Sequence, residues 1–141
     1  MTRVYWDTML FIYWMEDNRE LQSRVEAIYE SMRNRGHRLC ASLFTACEVM
    51  VYPCRRDDSA AARRIEEFFA SPEVEMLPLT PAVIPRYGHL RAGASVGAMD
   101  ALHLAIAAAA SVNLFLTNDR RLHRLKIPGI DFIAGLDVPF Y

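Results

Sequence analysis

The chain has 141 residues, the size of one ordinary domain, and we predict a single domain over residues 1–141. Hydrophobic residues make up 52% of the sequence and charged residues 23%, a balance that supports a sizeable core and excludes intrinsic disorder. The formal net charge of -1 neither requires nor excludes a nucleic-acid partner.

Helical and strand patterns alternate along the chain. In the first half of the chain we predict a strand over residues 4–6, a short helix over 8–14, a helix over 18–34, a strand over 39–42, a helix over 43–51 ended by Pro53, and a helix over 59–70. In the second half we predict a strand over 74–77, a helix beginning at Thr80-Pro81, a helix over 100–110, a strand over 114–117, a short helix capped by Asp119 and a strand over 131–133. This alternation predicts an α/β fold with a parallel sheet covered by helices on both faces.

The sequence also favours a cytoplasmic location. We expect no export, because no basic-then-apolar signal stretch opens the sequence, and no membrane span, because the most apolar segment, residues 101–116, is short and rich in Ala. The three cysteines, Cys40, Cys47 and Cys54, form no CxxC pair and have no neighbouring His, so zinc is not expected. We expect reduced thiols that pack as small apolar groups.

Four acidic residues stand where a ligand site of this fold would form. Asp7 directly follows the first predicted strand, and Asp119 follows the strand over 114–117 by one residue. Ligands bind beyond the carboxyl ends of parallel strands, so these two carboxylates would meet if their strands are neighbours. Asp100, at the start of a helix, and Glu48, within a helix, can face the same crevice.

Clustered carboxylates repel one another unless a hard divalent cation such as Mg²⁺ or Mn²⁺ offsets their charge. Such an ion supports phosphodiester hydrolysis, and the sequence does not choose between one ion and two. Each acid also has a structural alternative. Asp7 and Asp119 could cap helices, and Asp100 could complement a helix dipole, whereas Glu48 lies in an apolar run where a bare carboxylate is costly.

At these positions the sequence resembles the PIN domains, particularly the VapC-like toxin ribonucleases of toxin–antitoxin pairs. The matching segments are Val4-Tyr5-Trp6-Asp7-Thr8, Ala46-Cys47-Glu48-Val49, Val51-Tyr52-Pro53, Met99-Asp100-Ala101-Leu102-His103-Leu104-Ala105 and Leu116-Thr117-Asn118-Asp119-Arg120. The resemblance implies a three-layer α/β/α sandwich around a mostly parallel five-stranded sheet. It also implies a Mg²⁺- or Mn²⁺-dependent endoribonuclease, RNA as substrate, a homodimer and inhibition by a cognate antitoxin.

In this interpretation Asp7, Asp100 and Asp119 organise the metal, and Glu48 completes the pocket. Thr117 would hold a carboxylate or a metal-bound water in place. His103 shares a helix face with Asp100 and is either a base or ligand, or a buried residue that packs and forms hydrogen bonds near the pocket.

Arginines and aromatic residues offer possible contacts to RNA and to a partner. Arg120 and Arg121 could contact RNA phosphates or balance the charge of the acids, and the pairs at 55–56 and 63–64 could help position RNA. All of these arginines could instead be solvated surface charge. The apolar and aromatic helices over 8–32, with Trp14 and Tyr29, are a candidate antitoxin surface.

Three further classes remain open. A PIN nuclease of RNA processing would act without an antitoxin. A catalytically silent binding module would not need all four acids. A phospho-receiver domain would require a Lys near its last strand, and Lys126, the only Lys, lies on the wrong side of its strand for that role.

Overall fold

The computed structural model describes residues 1–15, 19–93 and 95–137. Its strands are β1 (Arg3–Trp6), β2 (Arg38–Ala41), β3 (Glu75–Met76), β4 (Leu114–Leu116) and β5 (Phe132–Ala134). Its helices are α1 (Thr8–Met15), α2 (Arg19–Asn34), α3 (Leu43–Arg55), α4 (Ser59–Ala70), α5 (Val83–Gly93) and α6 (Ala98–Ala109), followed by a 3₁₀ turn over Leu122–Arg124. The start of the second predicted helix at Asn18 lies outside the described residues.

The five strands form one parallel sheet in the order β3-β2-β1-β4-β5, which confirms the predicted fold class. Side chains alternate across β1, so Val4 and Trp6 enter one core while Tyr5 enters the other. The first core packs against α1, α2, α3 and α4, and the second packs against α5 and α6. The result is a three-layer sandwich with β1 at its centre.

The strand order reverses direction around β1, because the chain builds outward through β2 and β3 and then returns to place β4 on the other side of β1. In open parallel sheets a crevice forms at such a switch point, beyond the carboxyl ends of the two strands. The fold therefore directs attention to the residues that follow β1 and β4.

Two predicted helix boundaries at prolines are wrong. Helix α3 does not end before Pro53 but contains it and continues to Arg55. Proline removes one intrahelical hydrogen bond, and in the last turn that loss is small beside the burial of its ring. At the start of α5, Pro81 lies in a turn closed by hydrogen bonds from the Val83 and Ile84 amides, and the helix begins at Val83.

All three cysteines are free thiols, as predicted, but the predicted packing is correct only for Cys40, which is fully buried in β2. Cys47 and Cys54 are exposed free thiols. The buried residues of α3 recur at positions 45, 49 and 53, so neither of the two exposed cysteines falls on its inner face. None of the helices in the described ranges is both long enough and apolar enough to cross a membrane.

Candidate active site

The strands that precede Asp7 and Asp119 are neighbours, as the sequence argument required. Trp6 of β1 lies opposite Leu116 of β4, and the Asp7 amide continues this ladder by donating to the Leu116 carbonyl at 2.9 Å. The Thr117 amide similarly donates to Ala134 of β5 at 2.9 Å. Asp7 and Thr117 are therefore held side by side at the carboxyl edge of the sheet.

Thr117 links two of the four predicted acids. Its hydroxyl donates to Asp7 Oδ2 at 2.7 Å and accepts from the Asp119 amide at 3.1 Å, and its side chain is completely buried. The capping alternatives for the two acids also have a basis, because Asp7 Oδ1 accepts from the Thr8 amide at 2.8 Å and Asp119 Oδ1 from the Arg121 amide at 3.0 Å. Asp119 does not cap a helix, however, since residue 121 occupies the N-cap of the 3₁₀ turn.

Glu48 reaches the same edge of the sheet from α3. Its Oε1 accepts from the Thr8 hydroxyl at 2.6 Å and lies 2.5 Å from His103 Nε2. A carboxylate can only accept, so Nε2 carries the proton in this contact. Burial opposes ionisation of Glu48, but the hydrogen bonds from His103 and Thr8 outweigh it and lower the pKa of the carboxyl. The carboxylate is thus ionised at neutral pH.

Behind His103 lies a buried chain of hydroxyl groups. His103 Nδ1 is 2.7 Å from the Tyr5 hydroxyl, which also contacts Ser42 Oγ at 3.0 Å and Thr45 Oγ1 at 3.3 Å. Burial raises the pKa of Tyr5 to about 12, so its hydroxyl remains protonated and keeps its hydrogen-bond contact with the imidazole. Since His103 is 2% exposed, the structure favours its packing and hydrogen-bonding alternative, through which it orients Glu48.

Asp100 occupies the first turn of α6 and is half-buried. Within the described residues its carboxylate has no hydrogen-bond partner. Burial, followed by the negative charges of Asp7 and Asp119, raises the pKa of Asp100. The carboxylates of Asp7 and Asp119 therefore lie close enough to Asp100 for their charges to oppose its ionisation.

Arg121 forms an ion pair with Asp119. Its Nε donates to Asp119 Oδ1 at 3.0 Å and its Nη2 to Oδ2 at 2.8 Å, a two-pronged contact that lowers the pKa of Asp119. For Arg120, which is also exposed, no side-chain hydrogen bond or ion pair is found in the part of the chain that the structure describes.

The four acids and His103 line one open depression of about 620 Å³. Sequence reasoning missed Thr8 and Tyr5 as contributors to this site, and Asn118 as part of its wall. A signal existed for Tyr5, since a tyrosine in a buried strand needs a partner for its hydroxyl. Arg55 also lines the depression, whereas Arg64 lines a neighbouring apolar groove.

The donor set suits a hard divalent cation, because carboxylate oxygens are the ligands that Mg²⁺ and Mn²⁺ prefer. As oriented here, however, no three Asp, Glu, His or Cys side chains among the described residues form a ready-made metal cluster. The hydrogen bonds explain this, because Glu48 is turned towards His103 and Asp119 towards Arg121. The residues fit the ion in chemistry, and binding by Asp119 would require it to leave its arginine.

The comparisons with known proteins agree with this fold. A chain in the crystal structure of VapBC2 from Rickettsia felis, bound to a DNA fragment from its promoter, superposes with a TM-score of 0.70 at 17% identity, covering 95% of this chain and 98% of that one. A chain in the structure of DNA-bound VapBC from Salmonella typhimurium gives 0.69 at 22% identity, with coverages of 96% and 99%. No curated protein matches the sequence.

The PIN domain family model matches residues 4–128. This range contains β2, β3 and β4, all of β1 except its first residue, and all four acids of the depression. The match covers most of the chain, and the parallel five-stranded sheet is consistent with it. The chain therefore belongs to the PIN domain family.

Proposed function

We propose that the protein is a cytoplasmic, Mg²⁺- or Mn²⁺-dependent endoribonuclease, and that it is the toxin of a toxin–antitoxin pair. The observation that carries this proposal is the convergence of Asp7, Glu48, Asp100 and Asp119, from four separate segments, on one open depression at the switch point of the sheet. Membership of the PIN family and the fold shared with two VapBC structures support a nuclease of this type.

In this proposal the three aspartates hold the cation, which would offset the negative charge that develops on the phosphodiester and activate a water. Thr117 fixes Asp7 through its hydroxyl, so this ligand does not have to be ordered when the ion arrives. Glu48 uses Oε1 for Thr8 and His103. Its Oε2, which has no hydrogen-bond partner within the described residues, is the oxygen that orients the attacking water.

Cleavage of RNA tests this proposal. Purified protein without antitoxin should produce discrete fragments from total RNA with Mg²⁺ or Mn²⁺ and none with EDTA. Asp7→Asn and Asp100→Asn should each lower the rate at least about 100-fold, because each removes a charge that organises the cation. Glu30→Gln, an exposed change of the same charge on α2, is the control and should cleave as the unmodified protein does. Equal cleavage by all variants would assign the activity to another site or to a contaminant.

The antitoxin would bind in an apolar groove of about 240 Å³ beside the depression. The two share Ile12 and Tyr52 in their walls, so a partner seated in the groove lies next to the acids and can block RNA. Trp14 and Tyr29 are not free for this purpose. Trp14 packs against the rings of Trp6, Tyr29 and Phe68, and Tyr29 is buried, so polar substitutions there would test folding.

Met15 lies in the groove wall, on α1 of the predicted antitoxin surface, and is 38% exposed. Met15→Arg should weaken binding of the protein encoded by the adjacent short reading frame at least about tenfold while leaving RNA cleavage intact. A PIN nuclease that works alone would show neither binding nor inhibition by that product.

We also propose a homodimer. Leu43 and Leu79 follow the neighbouring strands β2 and β3, Ile84 lies in the first turn of α5, and all three are at least 70% exposed. Exposed large apolar side chains are typical of association surfaces. Leu43→Glu together with Ile84→Glu should convert a dimer to a monomer in sedimentation, and an unmodified protein that sediments as a monomer would contradict the proposal.

A further inference from the structure

The inference concerns Arg121 and rests on the proposed function, because it describes how the same site takes up its cation. Asp7, Asp100 and Asp119 place three carboxylates close together, and Asp100 is half-buried with no hydrogen-bond partner among the described residues. The positive charge bound to this group is the guanidinium of Arg121, which grips both oxygens of Asp119. Its charge also acts on Asp100.

The two side chains of this ion pair differ in their exposure to solvent, which allows a cation to replace the guanidinium. The Asp119 side chain is 26% exposed, whereas that of Arg121 is 85% exposed and reaches the carboxylate from solvent. An ion pair with one partner in water contributes little to stability, so a divalent cation can displace it at small cost. The displaced guanidinium remains tethered two residues from Asp119, at the rim of the depression.

We propose that Arg121 is an exchangeable counter-ion. It occupies Asp119 while the site lacks its cation, leaves when the cation binds, and then contacts a phosphate of the RNA at the rim. A guanidinium is suited to both positions, because its planar donors match a carboxylate and a phosphate equally well. One residue would thereby weaken the binding of metal alone and strengthen the binding of RNA once the metal is present.

Calorimetric titration of the intact, EDTA-treated protein with Mn²⁺ tests the first half. Arg121→Gln should bind Mn²⁺ about two- to fivefold more tightly than the unmodified protein, since the ion no longer displaces a salt bridge. Arg124→Gln is the matched control, because it removes the same charge from an exposed position in the same 3₁₀ turn and leaves the contact with Asp119 in place. Arg124→Gln should therefore retain the original Mn²⁺ affinity.

Binding of a fluorescent single-stranded RNA to the cleavage-deficient Glu48→Gln protein, with saturating Mn²⁺, tests the second half. Adding Arg121→Gln should weaken RNA binding at least about threefold more than adding Arg124→Gln does. Equal Mn²⁺ affinities in the unmodified and Arg121→Gln proteins, or equal RNA affinities in the two arginine variants, would overturn the inference while leaving the nuclease proposal standing. An unmodified protein that binds no Mn²⁺ would overturn both.

Discussion

Replacement of Thr117 by valine should destabilise the protein by about 2.5–4 kcal/mol. The side chain is completely buried, and valine nearly matches its shape, so little cavity is formed. The substitution removes the hydroxyl, which donates to Asp7 at 2.7 Å and accepts from the Asp119 amide at 3.1 Å. A hydrogen bond to a charged group contributes about 1.5–3 kcal/mol and a neutral one about 1 kcal/mol, which gives the expected sum.

Urea unfolding in EDTA, followed by circular dichroism, measures this loss. With a slope of about 2 kcal/mol/M, the midpoint should fall by about 1–2 M. Thr117→Ser keeps the hydroxyl and removes only a methyl group, so it should cost about 1 kcal/mol. In an Asp7→Asn background the valine substitution should cost less, because the charged acceptor is already gone. A valine variant as stable as the unmodified protein, or a serine variant less stable than the valine variant, would refute the reasoning.

Three other outcomes are expected. Burial and like charges raise the pKa of Asp100 in the folded protein. Its favourable contribution to folding is therefore full below its ordinary pKa of 3.8 and is lost as the pH rises through the pKa of the folded state. Asp100→Asn should raise the metal-free Tm at pH 7 by about 2–4 °C in calorimetry, and an unchanged or lower Tm would contradict this. Tyr5→Phe should cost about 1–3 kcal/mol in urea, because it leaves the buried His103 Nδ1 unpaired, and an unaffected midpoint would argue against that bond. A thiol reagent at pH 8 should modify two cysteines quickly and Cys40 only on unfolding, since burial raises its pKa to about 11; three fast thiols would exclude the buried position.

The sheet could be predicted because its strands carry strong local signals. The run Val4-Tyr5-Trp6 is apolar and ends at a polar residue, and the run that ends at Leu116 has the same form. Both are buried strands, and neighbouring parallel strands necessarily bring the residues after them together. Asp7 and Asp119 followed from this argument without any knowledge of side-chain contacts.

The hydrogen bonds that hold Glu48 and His103 in place could not be predicted in the same way. The contact between His103 and Glu48 joins residues 55 positions apart, and that between His103 and Tyr5 joins residues 98 apart. The first depends on how closely α3 and α6 approach across the edge of the sheet, and the second on how α6 packs against β1. No local pattern fixes either distance. The helix through Pro53 was also missed, because propensity records the lost hydrogen bond but not the burial that offsets it.

The central claim is that the carboxylates of Asp7, Asp100 and Asp119 bind one divalent cation together. Anomalous diffraction from crystals soaked in Mn²⁺ tests it most directly. We expect a strong peak between Asp7, Asp100 and Asp119, at about 2.1 Å from the bound oxygens, with Arg121 released from Asp119. A strong peak elsewhere, or no peak at saturating Mn²⁺ with the carboxylates arranged as they are here, would contradict it.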